Sequence, residues 1–474
     1  MPGGTAEGVV FPRDVDEVAA VVRAAARVLP VGAQSSLTGG ATPRGDVVLS
    51  TRALSDIDEP TGETIRVGAG VPLSDLQRFL AARDLYYPPV PTFDGAFVGG
   101  TVATNAAGAA TFKYGVTRDW VCGLTVVLGD GSVLELSRDE VRASDDGVIE
   151  IDTRGRGLIR IDIPTYRVPR LPKVSAGYFT QPHLDLVDLF VASEGTLGVI
   201  ADATLRIKRR PLRCVALIAC ISEPQAVAVT ATLRAEASAA EGPLDVAAIE
   251  YMDARSLALV DESVFAHAGL RRPTNGTTLL LVQIDTEGLL DAALARLQDL
   301  LQTVGIGDDP MIALPGDERT ATKLFELREA VPAAVNARVG AAKALAGDAI
   351  QKVAGDFIVP FDALPSALAL YREAFERREL EYAIWGHISD GNLHPNVIPR
   401  SLRDIERGRD ALREMANGVM ALGGAPLAEH GVGRNQLKQQ FLRQMYGESG
   451  IEQMRAVKRA LDPEAKFAVG VLFP

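Results

Sequence analysis

Val28-Leu-Pro-Val-Gly-Ala-Gln-Ser-Ser-Leu-Thr-Gly-Gly40 begins as a short apolar strand and then breaks into small residues and hydroxyls. With little bulk at Gly32, Ala33, Gly39 and Gly40, backbone N–H groups can come close to an anion, and Ser35, Ser36 and Thr38 can donate as well. The Gly-Lys-Ser/Thr of a P-loop is missing. No Gly-x-Gly-x-x-Gly follows a strand, so a dinucleotide is not held here in the Rossmann manner. Read alone, such a loop is either a surface turn or an anion cradle. A second stretch, Pro88-Pro-Val-Pro-Thr-Phe-Asp-Gly-Ala-Phe-Val-Gly-Gly-Thr-Val-Ala-Thr-Asn-Ala-Ala-Gly108, also lacks bulk and suits a wall lying close to a flat ring. A third Gly-rich turn, Ser193-Glu-Gly-Thr-Leu-Gly198, precedes the strand Ala203-Thr-Leu-Arg-Ile-Lys208.

Between these loops the periods of two and of three to four alternate. Residues 8–31 read as strand, helix, strand, with Asp14 as N-cap and Val15, Val18, Val21, Val22 and Ala25 on one helical face. Strands are expected at 47–50 and 64–67, and a helix over 73–83 after Pro72. Asp130-Gly131 marks the turn of a hairpin between 124–128 and 133–136. Residues 138–170 read as a polar, irregular excursion. Arg209-Arg210-Pro211 looks like a boundary, beyond which strands at 215–221, 248–252 and 279–284 alternate with helices near 224–240 and 287–304. A long helix over 317–339 should kink or divide at Pro332. A strand ending at Pro360, a helix near 363–378 and a strand over 382–385 follow. The segment 431–474 is expected to be helical to Asp462-Pro463 and extended afterwards.

Length and charge narrow the function classes. The 474 residues exceed one ordinary core. A net charge of −12 argues against nucleic acid or anionic membrane as the main partner, although the field at a site is local. Cys122, Cys214 and Cys220 form no even framework, which fits a reducing compartment. No apolar run approaches the ~18 residues of a membrane span. The start lacks the features of a signal peptide, and a cytoplasmic location is expected.

Two short clusters carry the chemistry. Trp385-Gly-His-Ile-Ser-Asp-Gly-Asn-Leu-His-Pro395 holds His387 and His394, two of the chain's five histidines, and Ala428-Glu-His-Gly-Val-Gly433 adds His430 beside Glu429. Any one of these histidines could be an ordinary hydrogen-bonded residue. Two imidazoles and a carboxylate together can hold a divalent cation and leave positions open for substrate.

These motifs resemble, in order and over nearly the whole chain, the flavoproteins related to vanillyl-alcohol oxidase. The Gly386-His…Leu-His394 and Glu429-His-Gly-Val-Gly433 pair is similar to the group of the glycolate oxidase D-subunit, D-lactate dehydrogenase and D-2-hydroxyglutarate dehydrogenase. The resemblance implies an α+β fold of three parts. An FAD-binding domain (1–209, the PCMH type, two α/β lobes) would be followed by an α+β substrate cap (210–427) carrying metal ligands. A C-terminal segment (428–474) would return to the FAD domain. It implies that Val31-Gly32-Ala33-Gln34-Ser35-Ser36-Leu37-Thr38-Gly39 binds the FAD pyrophosphate. Gly99, Gly100, Thr104, Asn105 and Gly108 would line the flavin, and Glu194, Gly198 and Val199 would complete the pocket. His387, His394 and Glu429 would ligate a divalent metal, zinc or manganese. His430 would be the base, Arg328 the partner of the substrate carboxylate, and Asn392 would lie between metal and flavin.

Alternatives stay open at single residues. Arg328 could be a solvated helix charge, His430 a fourth ligand, and Glu194 a structural turn contact. The chain also departs from the pattern. The usual Gly-Gly-Gly is Gly32-Ala33-Gln34, the usual Lys two residues before Asp356 is Ala354 with Lys352 nearby, and the usual Asn-Pro-Gly-Lys ending is Ala468-Val-Gly-Val-Leu472. Neither FAD loop contains His or Cys, so the flavin is expected to be noncovalent.

The implied reaction is metal-assisted oxidation of a D-2-hydroxy acid to the 2-oxo acid, with hydride passing to flavin N5. The alternatives are a non-catalytic flavin-binding subunit of a glycolate-oxidase-like complex and an enzyme like alkylglycerone-phosphate synthase. Expected partners are a small anionic 2-hydroxy acid and an electron acceptor (quinone, electron-transfer flavoprotein, cytochrome or oxygen). A homodimer is left open, and neither nucleic acid nor a transmembrane segment is expected.

Overall fold

The computed structural model describes residues 3–474 except 90, 92, 239–241, 275, 287 and 348. The chain divides into two units, residues 1–108, 115–210 and 427–474 forming the first and residues 109–114 and 211–426 the second.

In the first unit, Thr5–Val10, Arg44–Ser50 and Val28–Val31 make a three-stranded parallel sheet with Arg44–Ser50 at its centre. Helix Val15–Ala24 carries the chain from one edge strand, Thr5–Val10, across to the other, Val28–Val31, so that both run parallel to the central strand. Asp14 caps that helix by accepting the Glu17 N–H, and Val18, Ala19 and Val22 are its buried face. A four-stranded antiparallel sheet follows, ordered Thr64–Gly68, Val199–Arg206, Val121–Val127, Val133–Ser137. The stretch read as irregular holds a regular antiparallel hairpin, Val148–Thr153 with Gly157–Asp162. Its charged outer residues alternate with buried Ile149, Ile151, Ile159 and Ile161. Helix Gln436–Leu461 leads to a tail that turns instead of extending. That tail meets the parallel sheet at one isolated bridge, Val28 to Phe467.

The second unit is built on an eight-stranded antiparallel sheet. Seven strands run Met311–Ala313, Leu212–Cys220, Thr278–Thr286, Asp245–Met252, Tyr382–His387, Asn392–Val397, Val353–Ala354, and Phe357–Ile358 also pairs with Asn392–Val397. All nine residues of Thr278–Thr286 are buried, so this strand is the middle of the core. Helix Glu318–Ala346 runs its 29 residues through Pro332, where the sequence predicted a kink or a break. The ring costs one N–H to a carbonyl a turn earlier. The buried stripe Leu324, Leu327, Val331, Val335 and Val339 keeps both halves on one line.

Residues 109–114 join this unit through an ion network that the sequence did not reveal. Lys113 Nζ lies 2.5 Å from Asp245 Oδ2 and 2.7 Å from Asp285 Oδ2, Tyr114 donates to Asp285, and Arg213 Nε reaches Asp285 Oδ1 at 2.7 Å. Burial works to raise the Asp285 carboxyl, but the charge and hydrogen bond of Arg213, with Lys113 and Tyr114, hold it below its ordinary value.

Candidate active site

The three Gly-rich stretches of the first unit surround one cavity of about 370 Å³. Val31, Gly32, Ala33, Gln34, Ser35, Ser36 and Leu37 line it from the first loop, Gly99, Gly100 and Thr104 from the second, and Glu194 and Gly198 from the third. Glu429 and His430 also line it, as do Phe97, Ala106 and Ile200, which sequence reading did not single out. Thr38, Gly39, Asn105, Gly108 and Val199 are not among the lining residues and stand behind or beside the wall. Thr38 is buried and its hydroxyl lies 2.9 Å from that of Ser36. Asn105 adopts φ 48° and its Oδ1 accepts the Arg118 N–H at 2.9 Å. Val199 begins a sheet strand, and Gly108 is the last residue of the unit before the 109–114 segment.

Neighbouring glycines of the second loop serve different ends. A Cβ on Gly99 would sit 2.6 Å from Ala69 Cβ, so that glycine lets the helix Val98–Thr104 pack. A Cβ on Gly100 meets nothing within 4 Å, and its open side is the cavity. Gly100→Ala is therefore expected to fold and to weaken FAD binding by roughly tenfold or more, since an added methyl in a filled site costs about 1–3 kcal/mol. The check is flavin retention on dilution, with Gly99→Ala as the comparison that loses folded protein instead.

Glu194, at φ 51°, accepts the N–H groups of Val432 at 2.8 Å and Gly433 at 2.7 Å. Its carboxylate therefore lines the cavity and fixes the backbone just after Glu429-His430. Burial pushes the carboxyl up to about 7, against the two N–H donors that favour its charge. Glu429 Oε2 lies 2.8 Å from the ammonium of Lys173, whose side chain is fully buried, and His430 Nε2 lies 3.5 Å from Glu429 Oε1. Lys173 was missed. The only signal in its neighbourhood is a lone lysine among small and apolar residues, Pro172-Lys-Val-Ser-Ala-Gly-Tyr178.

In the second unit the hairpin Tyr382–His387/Asn392–Val397 explains the histidine spacing. Its register sets His387 opposite Asn392 and Trp385 opposite His394, and the next strand sets Glu250 opposite His387. Paired residues share a face and so do residues two apart, which gathers Glu250, Trp385, His387, Asn392 and His394 on one face. The two imidazoles lie 5.6 Å apart between centroids at 89°. His387 Nδ1 is hydrogen-bonded to Glu250 Oε1, and Arg328 Nε donates to the other oxygen at 2.6 Å. Burial works to raise the Glu250 carboxyl, yet the Arg328 charge, followed by that of His387, holds it at about 2.

Asn392 donates to the Phe357 carbonyl at 2.9 Å and to Asp356 Oδ1 at 3.4 Å, and Asp356 Oδ1 lies 3.9 Å from His394 Nδ1. Among the described residues, the buried Oδ1 atoms of Asn392 and Asn396 have no hydrogen-bond partner. A buried orphan acceptor on the face that carries two imidazoles fits an added cation or donor. Lys352 lies over the Trp385 ring at 5.6 Å, its ammonium lowered to about 8 by burial. Glu250 and Asp356 were both missed, although Glu250 is the lone carboxylate inside Val246-Ala-Ala-Ile-Glu-Tyr-Met252.

Gly391 closes the hairpin turn at φ 77°, and a Cβ there would lie 2.2 Å from the Val359 carbonyl oxygen. Gly391→Ala is expected to destabilise this unit by at least about 1–3 kcal/mol, the cost of a strained left-handed residue before the clash is counted. A lowered unfolding midpoint would show it.

The sequence profile of the FAD linked oxidases, C-terminal domain, matches residues 212–471, and that of an FAD binding domain matches residues 6–137. Glycolate oxidase subunit GlcD of Bacillus subtilis is 28% identical over 98% of this chain and 89% of its own length. D-2-hydroxyglutarate dehydrogenase of Xanthomonas citri pv. viticola is 30% identical over 98% of this chain and 89% of its own. Among solved structures, an alkyldihydroxyacetonephosphate synthase superposes with a TM-score of 0.62 at 15% identity, over 96% of this chain and 74% of that one, a likeness of fold. With a cavity walled by the three Gly-rich loops and both domain profiles matched in order, the chain belongs to the FAD-linked oxidases and is an FAD-dependent oxidoreductase.

Proposed function

We propose that the chain oxidises a D-2-hydroxy acid, of the D-lactate, glycolate or D-2-hydroxyglutarate type, to the 2-oxo acid. The observation that carries this reading is the row Arg328–Glu250–His387 beside Asn392 and His394 on one sheet face. It joins a fixed guanidinium to imidazoles that suit a cation. When bound, FAD supplies a two-electron oxidant that takes a hydride from C2. A divalent cation, for which His387, His394 and Glu429 are the proposed ligands, supplies Lewis acidity toward the hydroxyl oxygen.

The chain's own groups do the rest. Arg328 takes the substrate carboxylate and limits the poses from which C2–H can react. His430 accepts the hydroxyl proton. Asn392 offers its orphan Oδ1 to a donor and keeps the hairpin tied to Phe357.

Anaerobic mixing of the purified flavoprotein with D-lactate, glycolate and D-2-hydroxyglutarate tests the proposal. Bleaching of the oxidised flavin band with one acid, lost after chelation and restored by zinc or manganese, supports it. Absence of bleaching with every acid sinks it and leaves a flavin-binding subunit without catalysis. Bleaching that survives chelation removes the metal and keeps the oxidation.

A further inference from the structure

We propose that Glu250 is a positioning residue for two groups at once, holding His387 and Arg328 with the two oxygens of one carboxylate. The inference rests on the metal-assisted reading above and deepens it. Glu250 stands opposite His387 in the antiparallel register, so backbone pairing fixes their separation. Its Oε1 engages His387 Nδ1 and its Oε2 takes Arg328 Nε at 2.6 Å. Both residues are nearly buried, with side-chain exposures of 3% for Glu250 and 6% for Arg328. A carboxylate on Nδ1 places the ring proton there and makes Nε2 the atom that can ligate. It also raises the basicity of the ring toward a cation. Arg328 is anchored through Nε, which fixes the orientation its guanidinium presents to a substrate carboxylate. Its Nη1 lies 3.0 Å from Glu329 Oε1, a half-exposed partner that a substrate carboxylate can displace.

Arg328 rides on the long helix Glu318–Ala346 and His387 on the sheet, so one carboxylate sets the spacing of two elements that share no local sequence. An amide at position 250 keeps one acceptor but removes the charge that couples these two groups.

The test uses the full-length flavoprotein. Glu250→Gln keeps the shape and one acceptor and removes the charge. Its affinity for manganese, read by the quenching of the free-ion paramagnetic resonance signal, is expected to fall about 10–100-fold, as when the carboxylate behind a ligating histidine is lost. The KM for the hydroxy acid is expected to rise with it, and FAD content to stay at the wild-type level. Should Glu250→Gln fail to fold, Glu250→Gln/Arg328→Met, which removes the uncompensated charge, takes its place, and its manganese affinity is expected to stay low. Unchanged manganese affinity in either folded variant overturns the proposal. Wild-type protein that binds no manganese overturns the metal reading beneath it, a different result from loss in the variant alone.

Discussion

His430→Ala is expected to slow anaerobic reduction of the flavin by the hydroxy acid by about 10²–10⁴-fold, the usual worth of a positioned general base. The size follows from what the imidazole is asked to do. An alcohol holds its proton at neutral pH, so hydride loss without a nearby acceptor would leave a cationic product. His430 lines the same cavity as the three FAD loops, stands 3.5 Å from Glu429, and follows it directly in the chain. FAD is expected to remain bound in the variant, because the Gly-rich loops supply most of the wall. Stopped-flow reduction with a saturating acid separates the step from substrate binding. Partial recovery with added imidazole would identify a missing proton acceptor, and reduction at the wild-type rate would remove His430 from the chemistry.

The contrast between His430 and Glu250 shows what the residues made legible and what they did not. The cofactor wall could be read because its constraint is local. Runs of small residues such as Gly32-Ala33 and Gly99-Gly100 stand out without knowledge of what packs on them, and it was the resemblance carried by three such loops in order that implied the α+β fold and the flavin. The histidine pair was legible because a tight hairpin turns a spacing of seven residues into two positions on one face. Glu250 and Arg328 were not legible as partners. Their meeting depends on a sheet register and a helix packing that bring together positions 250, 328 and 387. Lys173 likewise meets Glu429 across 256 residues.

Two further elements turn on how much one local feature weighs against its surroundings. Val148-Ile-Glu-Ile-Asp-Thr153 alternates with the period of a strand, but its charge made it look like a loop. Pro332 costs one hydrogen bond, which five buried apolar residues outweigh.

Arg328→Met is expected to destabilise the second unit by about 3–5 kcal/mol, because removing one partner of a buried ion pair leaves the other charge uncompensated. The remaining charge would be Glu250, only 3% exposed, with His387 alone to answer it. Were Arg328 the solvated helix charge that its position alone permits, the same change would cost less than ~1 kcal/mol. The chain offers a clean reporter. Its two tryptophans are Trp120 in the first unit and Trp385 in the second, so a Trp120→Phe background leaves Trp385 fluorescence to follow the unit that carries Arg328. Denaturant titration in that background gives the loss directly, while FAD content follows the other unit. The double variant Glu250→Gln/Arg328→Met is expected to regain much of the difference, since neither charge is then buried alone. It should not regain activity, because the guanidinium that grips the substrate carboxylate is still missing. Stability recovered without activity separates the two tasks of Arg328, which holds Glu250 in the resting fold and the substrate carboxylate during turnover.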